Sequence, residues 1–389
     1  MKVDALFFGI SGHTWLRLIY RSDDTLKLIA EKTTTSDRLM EMIPTGGQTE
    51  AVRPGYDLHF GLTRYRGLNF TPLRLNVFYM KASILIMFFT FLAFKTFAQE
   101  PHVSSGRLDR VKSFPSAFVE ARNVDIWLPE GYSRKKKYAV LYMHDGQMLY
   151  DSTTTWNKKA WEADDVAAEL MKEKKVKEFI IVGIWNGGPK RHAEYFPQKP
   201  FESLPQSVQD TLYGANRSNG DGVFKGNKVQ SDKYLLFLVK ELKPYIDKKY
   251  STRKDPANTI IAGSSMGGLI SMYAICEYPE VFGGAACMST HWPGIFYMNN
   301  NPVPEAFFNY LESHLPDPKT HKLYFDHGTA TLDAMYPPLQ KKVDVIMKAK
   351  GYDDVNWLTK VFPGEDHSET AWRKRLYIPL EFLLSNTVK

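Results

Sequence analysis

The stretch "TIIAGSSMGGLISMYAI", residues 259–275, decides how this chain is read. It opens as a short apolar run rich in β-branched side chains, as a buried strand does. It passes through two serines bracketed by glycines and continues as a small, apolar segment with helical spacing. Strand, tight turn and helix in that order, with Gly263-Ser264-Ser265-Met266-Gly267 at the junction, make a Gly-x-Ser-x-Gly pattern. At such a junction the middle serine is pushed out of the sheet, and small residues two positions either side keep the backbone clear. Ser265 is therefore the candidate nucleophile and Ser264 a spacer. A tight turn with incidental serines has the same five residues, so the weight rests on their surroundings.

Those surroundings alternate strands with helical patterns, the mark of an α/β fold. "NVDIWLP" (123–129) alternates apolar and polar residues, whereas "YAVLYMH" (138–144) and "EFIIVGI" (178–184) are nearly continuous apolar runs, as strands covered on both faces are. Helical spacing follows in 160–175, 232–250 and 371–385, with Pro244 able only to kink or restart the second of these. "TIIAG", "GGAACMST", "KLYFDHG" and "NWLTKVFPG" are the later strands. One doubly wound, mostly parallel sheet in a single domain accounts for all of them. The Gly-, Pro- and Asn-rich region 185–227 is expected to be an insertion over one face.

In an open α/β sheet, function collects at the carboxyl ends of the strands. A serine hydroxyl needs a base, and His367 in "FPGEDHSETAW" follows the last strand and precedes the last helix. The order Ser, acid, His places the acid in "KLYFDHGTATLDAMY", which offers Asp326 and Asp333. Asp326 sits at the strand end, where it could bond a turn. Asp333 lies beyond the Gly328 turn, where its side chain can curl back towards His367, and it is preferred as the group that orients the imidazole. Two backbone N–H donors are needed for an oxyanion. Met266, after the nucleophile, supplies one, and Gln147 in "MHDGQM" the other, with Gly146 letting the backbone turn. His144-Asp145 has no second ligand pair at metal spacing, so no metal is expected. Trp156, Trp185, Asn186, His291 and Trp292 follow strands and are candidates for substrate binding, with ordinary loop packing as the competing account of each.

"RNVDIWLPEGY", "YAVLYMHDGQ", "IIAGSSMGGL" and "FPGEDHSETAW", in this order and spacing, resemble the putative-esterase family of α/β hydrolases, which includes feruloyl esterases, S-formylglutathione hydrolase, enterochelin-type esterases and mycolyl transferases. The resemblance runs from about residue 116 to 384. It implies the α/β-hydrolase fold and a Ser-His-Asp acyl hydrolase without cofactor. It supports Ser265, His367 and the Met266 and Gln147 amides. "GTATLD" departs from the Gly-Thr-x-Asp spacing of some members, because Thr331 stands at the fourth position. An acyl transferase on the same fold, and a catalytically idle module binding carbohydrate or protein, are the alternatives. Competition of an acceptor alcohol with water separates the first, and the approach of Ser265 to His367 the second.

Composition fits this picture. The hydrophobic fraction is 43% and the aromatic fraction 14%, as in a protein with a large core. The formal charge of +7 is unevenly spread: the first 98 residues carry 12 basic and 8 acidic side chains, leaving 38 and 35 in the rest. That remainder has an ordinary mixed surface, and "SRKKKY" (133–138) is a solvated turn rather than a nucleic-acid patch. The expected partner is a small-molecule or carbohydrate ester.

Residues 80–98, "MKASILIMFFTFLAFKTFA", have a basic start, a 13-residue apolar run from Ala82 to Phe94 and a small residue at the end, the layout of a secretory signal peptide. As a helix the run spans only about 20 Å at 1.5 Å per residue, short of a hydrocarbon core of about 30 Å. Residues 1–79 show no sustained period and are expected to be a mis-assigned or disordered extension, with Met80 the true start. The esterase domain is then 99–389, exported to the periplasm or outside the cell, with no stable membrane span in the mature form. Cys276 and Cys287 are expected as two buried thiols, although a helix packed on the following strand makes a bridge conceivable.

Overall fold

The computed structural model describes residues 4–11, 14–20, 26–29 and 100–386 apart from 218, 296 and 297. Two compact units divide the chain, Met1–Phe94 and Lys95–Lys389. In the first, β1 (Asp4–Ser11), β2 (Thr14–Tyr20) and β3 (Leu26–Ile29) pair antiparallel in that order. The sequence pattern has no sustained period there, so these strands go beyond it. The apolar run 80–98 lies outside the described residues, as does most of the extension before it.

The second unit is built on a sheet in the order β11-β10-β9-β8-β6-β7-β5-β4. Its strands are β4 (Arg107–Phe114), β5 (Arg122–Leu128), β6 (Ala139–His144), β7 (Phe179–Ile184), β8 (Thr259–Ser264), β9 (Gly284–Met288), β10 (Lys322–Gly328) and β11 (Trp357–Phe362). From β7 across to β11 all neighbours are parallel, while β5 and β4 add an antiparallel edge. This is the doubly wound α/β-hydrolase fold expected from the alternating pattern. β4 was not among the expected strands. Its sequence, RLDRVKSF, is half polar, as suits an edge strand, and its pairing is broken by a bulge between Val111 and Phe114.

The strands are apolar almost throughout because both faces are covered. In β6, Val140 and Tyr142 join one core, and Ala139, Leu141 and Met143 join the other. α1 (Ala163–Lys172) packs its buried Ala163, Ala167 and Leu170 into the second core. The insertion 185–227 is not plain loop: it holds α2 (Arg191–Tyr195), α3 (Gln198–Glu202) and α4 (Gln206–Tyr213). The following helical run starts as α5 (Ser231–Leu236), widens to a π turn over Phe237–Leu242, and resumes as α6 (Lys243–Lys249). Pro244 lies in the first turn of α6, where its missing N–H is tolerated, so it marks a restart.

α7 (Met266–Glu277) follows the serines and is buried along nearly its whole length. α8 (Val303–His314) and α9 (Pro337–Ala349) pack on the same core as α7. The last helical pattern is broken in two, α10 (Glu369–Arg373) and α11 (Tyr377–Leu384). Cys276 and Cys287 are both free and buried. No helix among the described residues is long and apolar enough to cross a membrane.

The chain runs from β6 to β7 on one side, then returns to place β8 on the other side of β6. The order reverses at that point, and the crevice beyond the carboxyl ends of β6 and β8 is where such sheets bind ligands.

Candidate active site

β8 delivers the two serines to this crevice. Ser264 ends the strand and is buried, whereas Ser265 is half-buried and adopts φ 59°, ψ −122°. A non-glycine residue in that region is strained, and the strain turns the chain sharply from strand into helix. Its backbone is pinned on three sides: Ser265 N–H donates to the Met288 carbonyl at 2.9 Å, and the Ser265 carbonyl accepts from Gly268 at 3.0 Å and His291 at 3.2 Å. The steric need for glycine is concentrated at Gly263, where a Cβ would lie 2.8 Å from the Gly267 carbonyl carbon. Met266 is the first residue of α7, so its N–H has no acceptor inside the helix.

The neighbouring strand β6 delivers the turn Gly146–Met148. The left-handed residue there is Asp145, at φ 56°. Gly146 is needed for close approach: a Cβ would sit 2.5 Å from the backbone of Gly183 on β7. Asp145 is fixed by a two-pronged pair with Arg191 at 2.6 and 2.7 Å and by Asn186 Nδ2 at 2.7 Å. Burial opposes its charge, but Arg191 and Asn186 hold its pKa below the usual carboxylate range. The Gln147 side chain accepts the Asn186 N–H at 3.2 Å, which ties the turn to the loop after β7.

The remaining groups come from the ends of β10 and β11. His367 Nδ1 donates to Asp333 Oδ1 at 2.5 Å. The other oxygen, Oδ2, accepts Ser289 Oγ–H and Gly328 N–H, each at 2.6 Å. Asp333 is fully buried, while His367 keeps 14% of its side chain exposed. Burial opposes the charge on Asp333, and its bonds to His367, Ser289 and Gly328 together lower its pKa. The imidazole is also packed edge-on against Trp372, 4.9 Å between ring centres. Asp326, the alternative acid, does not bond His367: it is buried against Arg375 at 3.1 and 3.2 Å and accepts from Tyr324 at 2.9 Å.

The candidate substrate residues separate. Trp156 is 83% exposed on the loop after β6, and its neighbour Asn157 donates to Glu369 Oε2, two residues past His367. Trp185 is half-buried with its N–H on Asp125 Oδ2 at 2.7 Å and Arg110 over its ring at 4.9 Å. Asn186 serves Asp145, as above. His291 is buried, its Nδ1 2.8 Å from the Tyr336 hydroxyl, and burial foremost pushes its pKa down to about 3. Trp292 is corrected: it is fully buried between Phe308 and Phe325 and donates to Gln340 Oε1, so it presents no face to a ligand. An aromatic residue after a strand reads alike for core and cleft. Ser289, Trp372 and Arg375 were not singled out in the sequence, where an arginine directly after Arg373 and Lys374 carries no sign of burial.

The family model described as "Putative esterase" matches residues 116–380. The chain belongs to the putative esterase family. It is thereby placed among ester hydrolases. Relatives of this esterase include the endo-1,4-beta-xylanase/feruloyl esterase of Xylanibacter ruminicola, 22% identical over 72% of this chain and 32% of that protein. Solved structures of like fold include a ferulic acid esterase (TM-score 0.50, 20% identity, 72% of this chain and 98% of that one). The enterobactin esterase of Shigella flexneri is another (TM-score 0.51, 15% identity, 73% and 60%).

Proposed function

We propose that this esterase is a serine carboxylic-ester hydrolase working through an acyl-enzyme. The observation that carries the proposal is the 2.5 Å bond from His367 Nδ1 to a buried Asp333, at the same end of the sheet as the strained Ser265. Because Nδ1 carries the proton, the lone pair of the imidazole is at Nε2, the atom that accepts the Ser265 proton. Ser265 Oγ attacks the ester carbonyl, and the Met266 and Gln147 amides receive the oxyanion. His367 passes its proton to the leaving alcohol. Water, deprotonated by His367, then releases the acid and restores Ser265.

The substrate is a carboxylic ester, small or carbohydrate-linked, and the names of its relatives make feruloyl esters the first to assay. Trp156 and Trp185 are the aromatic groups offered to it. A cleft of about 190 Å³, lined in part by Gln147, Thr153 and Trp185, adjoins the proposed oxyanion turn. Residues 80–98 act as a signal peptide, and the mature chain starts near Gln99. The basic start, the apolar run and the small residue at its end support this division, and N-terminal sequencing of exported protein tests it.

For the catalytic proposal, Ser265→Ala is expected to abolish turnover of a short-chain p-nitrophenyl ester and labelling by a fluorophosphonate, with an unchanged circular dichroism spectrum. Parental turnover in that variant overturns the assignment.

A further inference from the structure

Ser289 stands directly after β9, fully buried, with a positive φ of 40°. A non-glycine residue held in that conformation in a core signals a constraint imposed by its surroundings. Its hydroxyl makes three hydrogen bonds. It accepts from Trp372 Nε1 at 2.9 Å and from Arg375 Nη2 at 2.8 Å, and lies 2.6 Å from Asp333 Oδ2. A serine hydroxyl has two lone pairs and one proton. Indole and guanidinium nitrogens can only donate, so both lone pairs are occupied and the proton has one place to go, Asp333 Oδ2.

The arginine is arranged to serve two acids. Its bonds to Asp326, at 3.1 and 3.2 Å, are longer than the 2.6 and 2.8 Å of the buried Arg110–Asp125 pair, and its Nη2 also approaches Asp333 Oδ2 at 3.9 Å. Gly328 N–H takes the remaining position on Oδ2. With that oxygen saturated, Oδ1 is the one left for His367.

We infer that Ser289, clamped by Trp372 and Arg375, is the positioning residue of the acid: it locks the Asp333 carboxylate in one rotamer and thereby fixes the proton of His367 on Nδ1. This rests on the Ser265–His367–Asp333 reading above. Ser289 touches neither substrate nor reacting atoms, so its removal acts on kcat and leaves KM alone.

The test compares Ser289→Ala and Ser289→Gly in the full chain. Glycine accepts the positive φ without the strain that serine and alanine share, so a loss common to both variants comes from the missing hydroxyl and not from the backbone. The expected result is a fall in kcat of at least tenfold for both, with KM within twofold. Independently of any substrate, the far-downfield proton resonance of His367 Nδ1–H is expected to broaden or vanish in both variants. Parental kcat and an unchanged resonance in Ser289→Gly overturn the inference. The Ser265→Ala result is separate: an inactive Ser265→Ala with fully active Ser289 variants removes only the role of Ser289, whereas an active Ser265→Ala removes the reading beneath it.

Discussion

The hydroxyl of Thr331 accepts the backbone N–H of His367 at 3.0 Å. The ring of the same histidine is held two residues further on, by Asp333. Thr331 adopts φ 53°, an unfavourable conformation for a β-branched residue. The departure from Gly-Thr-x-Asp spacing thus places a backbone anchor where some relatives have the acid. Thr331→Val keeps the shape and removes the acceptor. A hydrogen bond of about 0.5–1.5 kcal/mol net corresponds to a loss of roughly two- to twelvefold in kcat/KM. Thr331→Ser is expected to stay near the parent. Steady-state kinetics on a p-nitrophenyl ester checks both, and a parental Thr331→Val excludes the anchor.

Gly328 is the point where the two halves of the acid–histidine pair meet. A Cβ there would lie 2.1 Å from the Glu365 carbonyl oxygen and 3.1 Å from Asp333 Oδ2. The same carbonyl accepts the N–H groups of Thr329 and Ala330, each at 3.1 Å, so it cannot yield without releasing the loop that carries His367. Overpacking of this kind costs about 1–3 kcal/mol. Gly328→Ala is expected to lower Tm by several degrees and kcat by more than tenfold. A variant that melts and turns over like the parent shows that the loop has room.

Asp326 and Asp333 are separable by experiment because their surroundings differ. Asp333→Asn leaves the charge balance of Arg375 with Asp326 intact but removes the acceptor that selects the imidazole tautomer. By analogy with other triads, kcat is expected to fall by about 10⁴ with a modest change in Tm. Asp326→Asn leaves Arg375 buried without its direct counter-charge, which costs about 3–5 kcal/mol. It is expected to melt far earlier, with the folded fraction retaining activity within a few-fold. Reversed behaviour of the two variants moves the acid role to Asp326.

Much of this was legible in the sequence because it is local. Continuous apolar runs mark β6, β7 and β8, since both sheet faces are covered. The glycine spacing marks the elbow, and position after the last strand marks His367. What was missed depends on distant partners. Arg373, Lys374 and Arg375 are adjacent in sequence, yet only Arg375 turns inward, as the helical run breaks between α10 and α11 and its carboxylate partner lies on β10. Ser289 reads as a polar residue ending a strand, and nothing nearby shows that two distant segments, one with Asp333 and one with Trp372 and Arg375, converge on its hydroxyl. The half-polar β4 was missed because an edge strand needs no apolar run.

Three buried histidines are expected to make the protein acid-sensitive well above the carboxylate range. Burial foremost pushes His144 and His291 down to about 3, and it pushes His192 well below its usual value. His144 Nδ1 lies 2.8 Å from the Tyr234 hydroxyl, and His192 packs against the rings of Phe196 and Phe224. In the unfolded chain each takes up a proton near pH 6.5, whereas in the folded protein it does not. Their contribution is therefore complete above about pH 6.5 and is lost progressively as pH falls towards 3. Each group removes up to about 1.4 kcal/mol per pH unit across that window. Asp145 and Asp333, whose pKa values are lowered, act in the same direction but nearer pH 4 and below. Thermal melts between pH 7 and 4.5 therefore isolate the histidines, and Tm is expected to fall steeply over that range. His192→Leu removes one titrating group from an apolar site, so its plot of Tm against pH is expected to be shallower than the parent's. Parallel plots for parent and variant would show that His192 takes up its proton in the folded protein as readily as in the unfolded chain.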